Sequence, residues 1–223
     1  PDLEPYEAWN FDGSIEYYFS PQGAVQLGVF YKTIDNFIVD RVFEAGDAPY
    51  NGVYNGVNFD EALIPLNGDE ATVQGFEFAY QQALTGLPAP FDGLLVGFNY
   101  TYTDTEGDVG DRKIPLPAAS ESTWNAMLGY EKGPLSIRLT SAYRDSYLDE
   151  LGGDPEEDRY VEDHMQIDLS MSYQVQDNIK LYAQFANLND EPYVAYQPGP
   201  GANRLLQYEE YSWTGKFGVQ MTF

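Results

Sequence analysis

The side chains best equipped for chemistry gather in the stretches between regular segments. Asp149, Glu150, Asp154, Glu156, Glu157 and Asp158 put six carboxylates into ten consecutive residues. Hard oxygen donors at that density suit a calcium ion, although their order does not follow a helix-loop-helix calcium loop, and charge runs are more often simply solvated. Tyr50, Tyr54, Phe59, Tyr147, Tyr193 and Tyr196 form a second set, with Asn51, Asn55, Asn203 and Arg204 among them. Aromatic faces flanked by amide and guanidinium donors can stack on sugar rings or grip the apolar side of a ligand; each ring singly serves loop-to-loop packing equally well. His164 is the only histidine and cysteine is absent. Ser–His catalysis would have to pass through that one imidazole, while disulfides and thiolate chemistry are excluded.

Strands must hold these groups in place. In residues 211–223, Tyr211, Trp213, Gly215, Phe217, Val219, Met221 and Phe223 share one face of an extended chain, and Ser212, Thr214, Lys216, Gly218, Gln220 and Thr222 share the other. Trp213 and Phe223 lie ten residues apart, and in a tilted strand that separation spans roughly 25 Å, the height of the apolar band on a transmembrane barrel. The same alternation marks eight earlier segments: residues 9–19, a second from 25 continuing to about 43, then 76–80, 94–103, 124–130, 135–144, 165–175 and 179–186. Short turns such as Ser20-Pro21-Gln22-Gly23, Lys132-Gly133-Pro134 and Gln176-Asp177-Asn178 alternate with long connections at residues 44–70, 105–120, 148–160 and 189–205. The longest of them, residues 44–70, shows no obvious element of its own beyond the turn signals Asn51-Gly52, Asn55-Gly56 and Asn67-Gly68.

Asp12, Glu16, Lys32, Glu77, Arg138, Arg144, Asp168, Lys180 and Lys216 all fall on the face opposite the apolar set. A Lys or Arg turned to lipid near the bilayer midplane costs about 2–4 kcal/mol, so the segregation is what a lipid-facing apolar side requires. His164 also lies on the charged, inward face, whereas a lipase on a barrel would present its Ser–His pair outward, so no enzyme activity is expected. A soluble β-sandwich alternates as well, but its strands usually run about 5–6 residues and its loops need not alternate in length. The pattern therefore predicts an all-β, antiparallel transmembrane β-barrel.

The formal charge of −25, with 11 Lys and Arg among 223 residues, excludes a partner with a phosphate backbone: no nucleic acid is expected. Tyrosine outnumbers phenylalanine 19 to 13, favouring rings with one polar tip, as an interface demands. No run approaches the roughly 20 apolar residues of a membrane helix, which leaves a barrel untouched. The first residues lack the charged and apolar parts of a secretory leader, so the chain is expected to be either intracellular or the mature part of a longer protein. Nine strands is an odd number, and bacterial single-chain barrels normally have an even one, so residues 1–223 are expected to be the C-terminal part of a larger barrel.

At this point the residues resemble the TonB-dependent outer-membrane receptors. Pro1-Asp2-Leu3-Glu4-Pro5-Tyr6-Glu7 is similar to the family's NPxLxPE entry, with the leading Asn absent and Tyr6 inserted. Residues 28–38 are similar to its xFYKxIxNFI strand, and Asn187-Leu188-Asn189-Asp190-Glu191-Pro192-Tyr193 to its NLxDxxY segment. The resemblance implies a 22-stranded barrel of which these are about nine C-terminal strands, with an N-terminal plug and a TonB box upstream. It implies TonB-energised uptake of a scarce nutrient, of carbohydrate or ferric siderophore class, without a cofactor; the alternative is a passive porin or structural barrel. Residues 196–211 resemble receptors of aquatic and plant-associated proteobacteria, some of them associated with carbohydrates. Implied partners are outer-membrane lipid and lipopolysaccharide, the TonB complex, a small-molecule substrate and the barrel-assembly machinery. Phe217, Val219, Met221 and Phe223 resemble the terminal signal that this machinery reads.

Overall fold

The computed structural model describes residues 3–20 and 22–222. Pro1, Asp2 and Phe223, named above in the entry motif and the terminal signal, lie outside the described residues. Among the described residues eighteen strands form in order: β1 (Glu7–Ser20), β2 (Gly23–Asp35), β3 (Ile38–Glu44), β4 (Val53–Tyr54), β5 (Val57–Asn58), β6 (Glu61–Asn67), β7 (Glu70–Ala83), β8 (Leu94–Val109), β9 (Arg112–Ile114), β10 (Ser122–Lys132), β11 (Leu135–Arg144), β12 (Tyr147–Glu150), β13 (Arg159–Val161), β14 (His164–Gln176), β15 (Ile179–Ala186), β16 (Tyr193–Gln197), β17 (Arg204–Glu209) and β18 (Thr214–Met221). Nine of them make one antiparallel wall in the order β1-β2-β7-β8-β10-β11-β14-β15-β18, with β9 pairing to β8. These are the nine alternating segments of the sequence. The wall is open, with β1 and β18 as its edges.

Register converts the alternation into a continuous outer face. Ile15 pairs with Leu27, Leu27 with Phe78, Phe78 with Tyr100, Tyr100 with Trp124 and Trp124 with Tyr143, all members of the apolar set. A one-residue slip anywhere would turn a strand's apolar side chains inward, so each pairing is held by its neighbours. This face is uncovered: Trp9 is 81% exposed, Ile15 70% and Phe217 71%. In water such a surface would exceed by far what a monomer tolerates, whereas against lipid it costs nothing. The opposite face carries Glu77, Arg138, Asp168, Lys180 and Lys216, as the alternation requires. At the short-turn end of this concave side, Arg138, Lys180 and Lys216 surround a depression of about 1200 Å³.

The buried core lies elsewhere, in the long connections. Phe37, Val39, Ala71, Val109, Ile114, Leu148 and Leu151 form one buried cluster, with Ile34, Leu116 and Tyr160 packed against it. Here the structure corrects the sequence reading of residues 44–70 as element-free, and it finds strands in the other long connections too. The second segment does not run on to about residue 43: Asn36, at φ +55°, ends β2, and the chain leaves the wall to form the β3–β6 hairpin. Within that hairpin Asn55-Gly56 makes the turn between β4 and β5, both residues at positive φ, the geometry of a two-residue turn of type I′. The fourth segment continues to Val109 and folds back as β9. The stretches around the connections at 148–160 and 189–205 supply β12, β13, β16 and β17, which runs on to Glu209, and these make a separate four-stranded sheet. The final strand starts at Thr214 rather than residue 211, because Ser212 at φ +57° interrupts the extended run.

Candidate functional site in the long connections

The β12-β13-β16-β17 sheet and the β3–β6 hairpin meet over the buried cluster; Arg41 joins the hairpin to the acidic connection, Arg112 joins β9 to it, and Arg159 ties the strands of the sheet to one another. Arg112 on β9 reaches the carboxylate of Asp158, Nη2 to Oδ2 at 2.5 Å, and donates from Nη1 to the Gly152 carbonyl at 3.2 Å. The second oxygen of Asp158 accepts the Gly152 backbone N–H at 3.0 Å. Arg41 on β3 donates to the Gly153 carbonyl at 2.7 Å. Arg159 donates from Nε to Asp149 at 2.9 Å and from Nη2 to Gln207 at 2.6 Å and to the Tyr193 hydroxyl at 3.2 Å.

The acidic connection is thus a binding partner of the protein's own cations. Asp158 and Asp149 are engaged by Arg112 and Arg159, while Glu150, Asp154 and Glu156 are exposed and the Glu157 carboxylate accepts the Asp154 N–H. Among the described residues no three carboxylate or imidazole groups gather as a metal ion would need. His164 opens β14 opposite Arg144.

The aromatic set divides into local pairs. Tyr50 meets Phe43 edge-on at 4.9 Å and Tyr54 at 5.2 Å. Tyr196 stacks on Tyr160 at 5.8 Å, and Tyr147 lies under the Arg144 guanidinium at 4.7 Å. Burial pushes the hydroxyls of Tyr160 and Tyr196 above the ordinary tyrosine value, so both rings stay neutral and stacked at physiological pH. Asn51 and Asn55 sit at positive φ and serve as turn residues, and Phe59 follows the β4–β5 turn with its N–H on the Gly52 carbonyl. Asn203 and Arg204 are exposed. Arg204 bonds to the Gln197 side chain and borders two clefts, one of about 720 Å³ shared with Glu156 and Glu157, the other of about 300 Å³ shared with Glu44, Glu150 and Arg159. The structure therefore brings Arg204 to the cleft region and commits most of the rings to packing.

The sequence marks Asn67 as a turn residue and Asn187 as part of a family motif, but not the contacts that their side chains make. Asn67 accepts the Glu4 N–H at 2.8 Å and donates to the carbonyls of Glu4 and Asn36, docking the entry segment. Asn187 is 9% exposed at φ +57°; its side-chain oxygen accepts the Glu191 N–H at 2.8 Å, and its own N–H donates to Asp168 at 2.9 Å. Together with Asn189, which accepts the Ile167 N–H at 2.9 Å, it ends β15 and turns the chain toward β16. The motif at 187–193 is thus a buried polar turn, and the motif itself was the available signal.

A wide antiparallel wall with an uncovered apolar face, a charged concave face, short turns at one end and folded connections at the other defines an outer-membrane β-barrel of the receptor type. The model of the family "TonB dependent receptor-like, beta-barrel" matches residues 1–188, and the chain belongs to that family. Its place is the bacterial outer membrane, and the family is one of receptors and transporters, not enzymes. The long connections therefore face the cell exterior.

Solved structures share the fold. The pyoverdine outer membrane receptor FpvA from Pseudomonas aeruginosa bound to pyoverdine superposes with a TM-score of 0.63 at 20% identity, over 99% of this chain and 30% of that one. The ferric-catecholate import receptor Fiu from E. coli gives 0.65 at 17% identity, over 100% and 28%. The copper transporter OprC gives 0.68 at 17% identity, over 100% and 32%. The chain thus spans about a third of the length of these proteins. No curated protein sequence matches the chain.

Proposed function

We propose that residues 1–223 are the C-terminal part of a barrel whose full-length protein takes up a scarce nutrient with energy from the TonB complex, and that the extracellular clefts beside Arg204 belong to its ligand site. The observation that carries this reading is the folded loop assembly: a passive pore needs no ion-paired sheet and buried cluster above the membrane. The nutrient class we favour is a metal chelate, since the pyoverdine, ferric-catecholate and copper proteins share the fold. Carbohydrate is the second reading, favoured by the rings of Tyr147, Tyr193 and Tyr196 with Asn203 near the same sheet. Tyr50, Asn51, Tyr54 and Asn55 form the outer hairpin and would contact ligand only from that side. Phe217, Val219 and Met221, together with Phe223, are proposed as the signal for the barrel-assembly machinery, and lipopolysaccharide as the neighbour of the outer rim.

Titration calorimetry on the full-length protein with ferric hydroxamates, ferric catecholates and oligosaccharides tests the reading. Arg204→Ala and Tyr196→Ala should each weaken the ligand that binds by about tenfold or more, about 1.4 kcal/mol. Unchanged affinity removes these two residues from the site. An open reading frame without a plug and TonB box would instead support a passive barrel.

A further inference from the structure

An asparagine followed by glycine is the pair in which a side-chain amide is most readily attacked by its own backbone, because glycine has no Cβ to shield the attacking nitrogen. The chain carries three such pairs between β2 and β7: Asn51-Gly52, Asn55-Gly56 and Asn67-Gly68. The first two lie in identical tetrapeptides, Tyr50-Asn51-Gly52-Val53 and Tyr54-Asn55-Gly56-Val57. Local sequence therefore cannot separate them, and any difference in reactivity comes from the fold.

The fold treats the three unequally. Asn67 is held at both side-chain ends: Oδ1 accepts the Glu4 N–H at 2.8 Å, and Nδ2 donates to the carbonyls of Asn36 at 2.8 Å and Glu4 at 2.9 Å. The Gly68 nitrogen is engaged as well, donating to the Phe37 carbonyl at 2.7 Å. Asn51 is held less. Its Nδ2 donates to the Pro49 carbonyl at 3.2 Å and its N–H to the Asp47 carbonyl at 2.7 Å, while Gly52 is buried, a Cβ there standing 3.0 Å from the Ala45 carbonyl oxygen. Asn55 and Gly56 are both exposed, and a Cβ on Gly56 would meet nothing within 4 Å. Among the described residues the Asn55 side chain makes no hydrogen bond. The strands that close this turn, β4 and β5, are two residues each, and so short a hairpin opens at little cost.

We propose that the fold exposes Asn55, in preference to Asn51 and Asn67, to spontaneous deamidation on the outer surface of the protein. The type I′ turn opens first, freeing the Gly56 nitrogen to approach the side chain. That nitrogen gives up its proton and bonds to Cγ of Asn55, the Cγ–Nδ2 bond breaks, and Nδ2 leaves as ammonia with a proton from water. Water then opens the resulting five-membered imide, at the side-chain carbonyl to give aspartate or at the main-chain carbonyl to give isoaspartate. The net reaction consumes one water and releases one ammonia. Both products add a negative charge to the hairpin tip, and isoaspartate also lengthens the main chain by one methylene, which a two-residue turn cannot hold in register. Tyr54, the adjoining residue, meets Tyr50 edge-on at 5.2 Å, so the reaction also loosens the packing of that ring. The outer hairpin thus changes charge and shape with the age of the molecule, whether or not it touches ligand.

Peptide mapping by mass spectrometry tests this on full-length protein in detergent, aged in neutral buffer made with heavy-oxygen water. Heavy oxygen should enter at Asn55 at least about threefold faster than at Asn51 and about tenfold faster than at Asn67, whose hydrogen bonds must first break. In the same chain unfolded in urea, Asn51 and Asn55 should label equally. Labelling of folded Asn51 or Asn67 as fast as Asn55 overturns the proposal, as does an unlabelled Asn55. A preference for Asn55 that persists in urea overturns it too, because the fold would then not be the cause.

Discussion

Single side chains decide whether the extracellular assembly holds. Arg112 and Asp158 are joined with their side chains only 15% and 5% exposed. Removing one partner of such a pair strands the other charge out of water, which costs about 3–5 kcal/mol. Arg112→Ala should therefore loosen the 149–158 connection, seen as faster proteolysis there, while the wall keeps its resistance to heat in detergent. Equal proteolysis rates would show that Gly152 and water satisfy Asp158 unaided. The stacked phenols of Tyr160 and Tyr196 give a second test. Burial raises both above the usual value, with the Asp158 carboxylate adding to the effect on Tyr160 and that of Glu162 on Tyr196. A raised folded-state value means that the stabilisation is complete below the unfolded value of about 10 and is lost as pH rises through the folded one. Tyrosinate absorbance should show a late-ionising fraction that loses one ring in Tyr160→Phe. Ionisation of every tyrosine at about pH 10 would contradict the burial.

Elements depend on close approaches that composition does not reveal. A Cβ on Gly75 in β7 would stand 1.9 Å from the Tyr102 backbone oxygen of β8 and 2.7 Å from the Phe30 ring. Backbone cannot yield as a side-chain tip can, so Gly75→Ala should cost at least about 1–3 kcal/mol and lower the folded fraction of the barrel on electrophoresis without heating. Gly218 gives a milder contrast, since its Cβ would meet the Tyr182 ring, which can rotate away. The nine wall strands were legible because a period of two is written into every residue of a half-exposed strand. The β3–β6 hairpin was not, because Val39 and Phe43 continue the alternation of β2 after the chain has left the wall. Period alone does not say which sheet a strand joins. The loop sheet was illegible for another reason: Arg112 and Asp158 lie 46 residues apart, and nothing local marks them as partners. Asn55-Gly56 and the motif at 187–193, whose chemistry is local, were readable as turns or by resemblance.

At the scale of the whole molecule, charge and apolarity sort by direction. Carboxylates crowd the extracellular end, Arg138, Lys180 and Lys216 line the concave side toward the periplasm, and the convex side is left to lipid. The register makes this separable by experiment at adjacent positions of one strand. Leu139 on β11 points outward between Leu128 of β10 and Leu169 of β14. Thr140, the next residue, points inward between Met127 and Asp168. An arginine at the first position must lie in hydrocarbon or distort the bilayer, at about 2–4 kcal/mol near the midplane, while at the second it meets water and the Asp168 carboxylate. Equilibrium unfolding of the full-length protein in lipid vesicles should therefore show Leu139→Arg destabilised by an amount of that order and Thr140→Arg within about 1 kcal/mol of the parent. Equal losses would mean that the two faces see the same solvent, and the assignment of the convex face to lipid would fall with them.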